Sequence, residues 1–257
     1  MIGAIAGDII GSVYEGSGFK SKRFLLFERG ARFTDDSVLT IAVAQAILDG
    51  RDYLSAILEF GRRYPEAGYS RQFQAWLRSR APRPYQSFGN GAAMRVSPVG
   101  FAFDSEAAVL TEARKTAEIS HDHPEGIKGA QATALAVFLA RTGASKEAIR
   151  EELAGRFEYD LERTVDRIRP DYGFDLSCQG TVPEAVVCFL ESGSFEDAVR
   201  NAVSLGGDSD TLACIAGTIA HAFYGALPGH VVAGVQRTLD ADLWSVTERF
   251  CARFGIA

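Results

Sequence analysis

Residues 206–223 read GGDSDTLACIAGTIAHAF. From Leu212 to Phe223 this stretch is apolar on nearly every helical face, with Ala213, Ala216, Gly217 and Ala220 along one side. A helix that is apolar all round belongs inside a core. A face of small residues lets helix backbones approach, because side-chain bulk sets the distance between axes. A second small-residue helix opens the chain, where Gly3, Gly7 and Gly11 recur at every fourth position of MIGAIAGDIIG. Both helices are expected at the centre of the fold.

Outward from these two, the pattern stays helical. Residues 38–48 form an apolar helix stopped by Gly50. Residues 54–64 and 71–78 are amphipathic, and 107–119, 127–140 and 146–157 follow with 3.6-residue spacing. Residues 181–190, 195–204 and 243–254 complete the series. No run alternates apolar and polar residues as a half-buried strand would, and no fixed-period repeat or low-complexity linker divides the chain. The expectation is one compact all-α domain over residues 1–257.

With a net charge of −6 and scattered Lys and Arg, the chain lacks the basic stripe that strong non-specific nucleic-acid binding needs. Cys178, Cys188, Cys214 and Cys251 form no C-x-x-C pair and have no zinc spacing with histidine. They are read as reduced thiols of a cytoplasmic protein. The N-terminal segment carries Asp8, has no basic leader and is too short to span a bilayer, so no membrane role is expected. A monomer is expected.

Two acidic clusters stand at helix starts: Thr34-Asp35-Asp36 and Asp208-Ser209-Asp210-Thr211. One reading is structural. Thr34 and Asp208 are N-caps, and the other carboxylates favour the positive end of the helix dipole. The other reading is a cation site. A cap needs one such side chain, whereas each cluster carries two carboxylates and a threonine, and packing both together repels unless a cation intervenes. Mg²⁺ and Mn²⁺ take about six oxygen ligands, waters included. The absence of histidine and thiolate argues against zinc. Spacing leaves both readings open.

Other positions carry the same double reading. Glu15 stands beside Gly16-Ser17-Gly18 and, seven residues after Asp8, is expected on the same helix face. It is either a solvated helix end or a carboxylate on a glycine hinge suited to general acid/base work. Asp8 is a buried cap or an orienting group. Gly89-Asn90-Gly91-Ala92-Ala93-Met94-Arg95 is a glycine turn entering a helix, whose backbone N–H groups suit a phosphate or ribose oxygen. His121 in Ser120-His121-Asp122-His123-Pro124 is the first histidine of the chain, which excludes an HD-type phosphohydrolase needing one upstream. It is a ligand contact or a satisfied, partly buried histidine. Tyr172 and Phe174, in the loop before Cys178-Gln179-Gly180-Thr181, cover a nucleobase or plug a core edge. The segment 16–32, with Lys20, Lys22 and Arg23, is read as a solvated loop.

Taken together, these motifs resemble the ADP-ribosylglycohydrolase family, in particular its compact bacterial members. The resemblance rests on Gly7-Asp8 with Tyr14-Glu15-Gly16, Thr34-Asp35-Asp36-Ser37, residues 89–95, Ser120-His121 with His123-Pro124, and residues 206–211, in the family's order. It implies an all-α fold with a binuclear Mg²⁺ or Mn²⁺ centre. Thr34, Asp35, Asp36, Asp208, Asp210 and Thr211 match the ligands. Glu15 matches a mobile catalytic glutamate, and Asn90, Gly91 and His121 match positions lining the ADP-ribose pocket. The segment from Tyr172 to Thr181 borders the adenosine half by a looser match. The implied reaction releases ADP-ribose from an acceptor on a protein or nucleic acid. It passes through an oxocarbenium-like state that calls for flanking carboxylates, and through a water whose pKa a metal lowers. No Asp or Glu lies between Glu66 and Asp104, which leaves Glu15 and the ligating aspartates, Asp35 among them, as the catalytic candidates. Two further classes compete: a non-hydrolytic ADP-ribose-binding module and a two-metal phosphohydrolase.

Overall fold

A computed structural model describes all of residues 1–257. It contains fifteen helices and no strand; one isolated bridge joins Gly89 to Ser177. In chain order the helices are α1 (Ile2–Gly11), α2 (Asp35–Asp49), α3 (Tyr53–Arg63), α4 (Arg71–Arg78) and α5 (Gly91–Met94). Next come α6 (Ser97–Ala102), α7 (Glu106–Glu118), α8 (Pro124–Arg141), α9 (Lys146–Phe157) and α10 (Val165–Ile168). The last five are α11 (Cys178–Leu190), α12 (Phe195–Val203), α13 (Ser209–Tyr224), α14 (Gly229–Thr238) and α15 (Ala241–Phe254). No helix is long and apolar enough to cross a membrane.

The two small-residue helices pack against each other at the centre. Every residue of α1 is buried, and so is α13 from Ser209 to His221. A side chain on Gly3 would strike the carbonyl of Gly217, one on Gly7 the carbonyl of Ala213, and one on Gly11 the backbone of Ser209 and Asp210. The glycine stripe of α1 therefore lies against the α13 backbone itself. This contact sets how far Asp8, near the end of α1, stands from Asp210, in the first turn of α13. Helix α2 is buried from Asp36 to Ala46 and packs on α1, α3 and α15. Helices α8 and α11 close the core around α13, while α3, α4 and α12 each bury a single face.

Helix boundaries differ from the periodicity at predictable places. Helix α8 begins at Pro124, three residues earlier than its apolar spacing, because proline suits the first turn. Helix α14 (GHVVAGVQRT) is absent from the sequence reading: its glycines and valines have low helix propensity, and packing against α1 compensates. The short α6 and α10 were likewise invisible to a periodicity that needs several turns. One expectation is corrected. Glu15 does not share a helix face with Asp8. Helix α1 stops at Gly11, Tyr14 N–H donates to Gly11 O and Ser17 N–H to Tyr14 O, and Gly16 and Gly18 take positive φ. Glu15 thus lies on an exposed turn beyond the helix.

Candidate active site

Ten helices carry a side-chain N-cap bond, from Thr34, Asp52, Ser70, Ser105, His123, Ser145, Thr164, Ser177, Ser194 and Asp240. Asp208, at the N-cap of α13, makes none. Its Oδ2 instead accepts from Asn90 Nδ2 at 2.7 Å, and Asn90 spends its other amide hydrogen on Thr181 Oγ1 at 3.1 Å. The structural reading of this cluster predicts a capping carboxylate; the structure withholds it. Asn90 therefore reaches the site as a holder of Asp208, at the N-cap of the short α5.

The first cluster is organised from below by Asp8. Thr34 N–H donates to Asp8 Oδ2 at 2.9 Å, Thr34 Oγ1 to Oδ1 at 2.6 Å, and Ser37 N–H to Oδ2 at 3.1 Å; the Ser37 hydroxyl adds a fourth bond. Asp8 thus ties the start of α2 to the end of α1. Thr34 also caps α2, its Oγ1 accepting from Asp36 N–H at 3.3 Å. The two clusters meet where Thr211 Oγ1 donates to Asp36 Oδ2 at 3.3 Å. Carboxylate oxygens of Asp8, Asp36 and Asp210 lie within 4.8 Å of one another, and so do those of Glu15, Asp208 and Asp210. Asp35 is outside both groups; it lines the same cleft, with its N–H on Ala67 O at 2.7 Å and Gly68 beside its carboxylate.

None of these carboxylates has an ion-pair partner. Burial, followed by repulsion from Asp8 and Asp208, pushes the Asp35 carboxyl up to about 8. Burial and neighbouring carboxylates hold Asp36 and Asp210 well above the usual range. Burial raises Asp208 against the hydrogen bonds that stabilise its charge, and it raises Glu15 with help from Asp208 and against Arg32. Asp36 Oδ1 is buried without any hydrogen-bond partner. An orphan carboxylate oxygen in a cluster of like charges is the condition a hard divalent cation relieves, and the donors are all oxygen. The residues fit such an ion.

The clusters form one end of a cleft of about 790 Å³. Glu15, Thr34, Asp35, Asp36, Asn90, Gly91, His121, Phe174, Asp208, Asp210 and Thr211 all line it. Tyr172 does not. Its ring packs on Gly207 and its hydroxyl donates to Gly180 O at 2.9 Å, so it supports the loop from outside the cleft. Phe174, Phe88 and Leu176, about half exposed, rim the mouth. Gly16 N–H on Gly207 O holds the Glu15 turn to the start of α13. Lys20 donates to Tyr172 O at 2.6 Å and Leu205 O at 2.5 Å, and Lys22 pairs with Asp197 at 2.6 Å. These two loop lysines are therefore anchored at their tips while the segment stays solvated, with Lys20 and Arg23 exposed. Asp175, in the segment from Tyr172 to Thr181, lines the cleft as well, whereas sequence reasoning did not single out Phe88, Arg32 and the buried Arg95 as cleft residues. Phe88 and Arg95 lie within or beside the quoted glycine motif, which was the available signal; Arg32 carried none beyond its place two residues before Thr34.

Comparison with known proteins follows the same line. An ADP-ribosylglycohydrolase family model matches residues 1–256. The chain is 28% identical to ADP-ribosylhydrolase ARH3 of Mus musculus over 88% of this chain and 82% of that protein. It is 26% identical to ADP-ribosylarginine hydrolase Tri1 of Pseudomonas putida over 75% of this chain and 59% of that one. A solved structure described as an ADP-ribosylglycohydrolase-related protein complex superposes with a TM-score of 0.74 at 24% identity, covering 97% of this chain and 95% of its own. A match along nearly the whole length, on a helical fold whose two acidic helix starts converge in one cleft, makes this chain a member of the ADP-ribosylglycohydrolase family.

Proposed function

We propose that this protein cleaves the glycosidic bond between ADP-ribose and a modified acceptor, releasing ADP-ribose, and that it does so with two Mg²⁺ or Mn²⁺ ions. The observation that carries the reading is the meeting of the helix starts. Asp208 is withheld from capping and stands beside Glu15, Asp36 keeps an unpartnered oxygen, and Asp210 belongs to both carboxylate groups. Thr34, Asp35, Asp36, Asp208, Asp210 and Thr211 are the proposed ligands, with Asp8 holding Thr34 in place. When bound, the ions supply positive charge to the ribose end of the cleft and lower the pKa of a water there.

The chain's own groups account for the remainder. Glu15 sits on an exposed turn at the cleft edge, and partial loss of water around its carboxyl, with Asp208 nearby, raises its affinity for a proton. A carboxyl tuned upward in this way suits proton delivery to a leaving group. Asn90, by holding Asp208, and Gly91 and His121, by lining the wall, shape the ribose and phosphate side. A cleft of about 790 Å³ lies within the span usual for small-molecule sites, and Phe174 with Phe88 offers aromatic surface to a nucleobase. Four free, buried thiols support a reducing, cytoplasmic setting.

The test is a release assay on ADP-ribosylated arginine, serine and nucleic-acid substrates, with Mg²⁺, Mn²⁺ or chelator. Arginine is included because one relative carries that acceptor in its name. Free ADP-ribose, formed with cation and lost with chelator, is expected from at least one substrate. AMP with ribose phosphate as product would assign pyrophosphate cleavage instead, and binding of ADP-ribose without turnover on the panel would assign a binding module.

A further inference from the structure

Arg95 has no exposed surface and is the largest such side chain in the molecule. No carboxylate lies within ion-pair distance of it. Its Nη2 donates to Thr116 O and to Ser120 Oγ, both at 2.8 Å, while Nε and Nη1 have no partner. The guanidinium lies 5.9 Å from the centre of the Phe73 ring. A buried, unpaired cation is costly, and an apolar side chain of similar volume would fill the space at lower cost.

The consequence of placing it there appears one residue away. Ser120 Oγ, which accepts from Arg95, is 2.8 Å from Nδ1 of His121. Ser120 and His121 are both buried. The arginine nitrogens can only donate, so one lone pair of Oγ is committed to Nη2. The hydroxyl hydrogen then needs an acceptor, and Nδ1 of His121 is the one the structure offers. An accepting Nδ1 has no hydrogen, which places the ring hydrogen on Nε2. Nε2 faces the glycine motif of the cleft: a side chain on Gly91 would begin 3.1 Å from it, and one on Gly89 3.5 Å.

We propose that Arg95, acting through Ser120, is a positioning residue that fixes His121 as a neutral Nε2–H donor into the cleft between Gly89 and Gly91. The ring is flanked by Tyr85 at 5.6 Å and Phe73 at 6.2 Å, and Ser120 Oγ is the only hydrogen-bond partner of Nδ1. Burial, with the Arg95 charge, holds the imidazole well below its ordinary range and keeps it uncharged. It follows that the ligand atom met by His121 is an acceptor, such as a hydroxyl or phosphate oxygen. His121 is then neither a proton-abstracting base nor a metal ligand through Nε2. The identity of that ligand rests on the ADP-ribose reading; the proton arrangement does not.

The experiment is ¹H–¹⁵N NMR of the imidazole rings in the ligand-free protein, with His121 assigned by the ring lost in His121→Asn. A protonated Nε2 and an unprotonated, accepting Nδ1 are expected. Ser120→Ala should mix the two tautomers and Ser120→Thr should restore one. Arg95→Met should shift the ring toward Nδ1–H, since Ser120 Oγ is then free to accept. With an ADP-ribosylated substrate, Ser120→Ala is expected to raise KM by about tenfold with kcat little changed, the mark of a binding hydrogen bond lost alike from ground and transition states. Nδ1–H or imidazolium in the wild type, or an unaltered ring in Ser120→Ala, overturns the proposal. If Arg95→Met does not fold, the Ser120 pair decides. The expected tautomer in a protein that releases no ADP-ribose would overturn the functional reading and leave this inference standing.

Discussion

Asp208 shows how a residue's neighbours decide between two local roles. Its position before α13 is that of an N-cap, and its type is among the best for capping. Asn90, 118 positions away in sequence, takes the carboxylate for the cleft instead. Asp210 occurs in both carboxylate groups, so its removal should be decisive. Asp210→Ala is expected to abolish divalent-cation binding by calorimetry and hydrolysis with it. Its metal-free form should melt no lower than wild type at pH 8, because a repelled buried charge is gone; retained cation affinity would refute the assignment. Glu15→Gln keeps the shape of the turn and removes the proton. It is expected to bind cation normally and lose about 100-fold or more in kcat, and an unchanged kcat would take Glu15 out of the chemistry. Residue types and motif order made both candidates legible in the sequence. The role of Asp8 as a four-bond anchor was not, because its partners Thr34 and Ser37 lie 26 and 29 residues away.

Among the elements, the α1–α13 contact governs the site. Gly7 faces the carbonyl of Ala213, so even a methyl group meets backbone that cannot swing aside. Gly7→Ala should cost about 1–3 kcal/mol in stability, as overpacking generally does. It should also weaken cation binding, since Asp8 and Asp210 ride on the two helices being separated. A remote cap provides the contrast. Ser145→Ala at the start of α9 should cost about 1 kcal/mol and leave cation affinity unchanged; equal effects of the two substitutions on affinity would disconnect the helix contact from the site. The glycine stripe itself was visible in the sequence as a four-residue recurrence. Which helix it met was not, because a small face admits any close partner.

For the whole molecule, the acidic cleft predicts a pH-dependent stability with a definite sign. The Asp35 carboxyl, raised to about 8, with Asp36, Asp208 and Asp210 raised alongside it, binds protons more tightly folded than unfolded. By linkage this stability is fully present below the unfolded value near 3.8 and is lost as pH rises toward 8. Metal-free protein should therefore melt lower at pH 8 than at pH 5.5. Mg²⁺ or Mn²⁺ should restore the melting temperature at pH 8 far more than at pH 5.5, where protons occupy the same oxygens. A cation effect independent of pH in thermal denaturation would show that the ions bind elsewhere. By itself the sequence determined the helical class, all of the helices but α6, α10 and α14, the central pair and the carboxylates that come together at the cleft, because apolar periodicity, glycine spacing and residue chemistry are local properties. Only the tertiary structure decided that Asp208 does not cap, that Glu15 leaves its helix, that Tyr172 stands outside the cleft while Phe174 lines it, and that Arg95 sits unpaired behind His121. Each of these depends on a hydrogen bond or close contact between residues distant in the chain, or on where a helix ends under such packing, and local pattern carries no record of them.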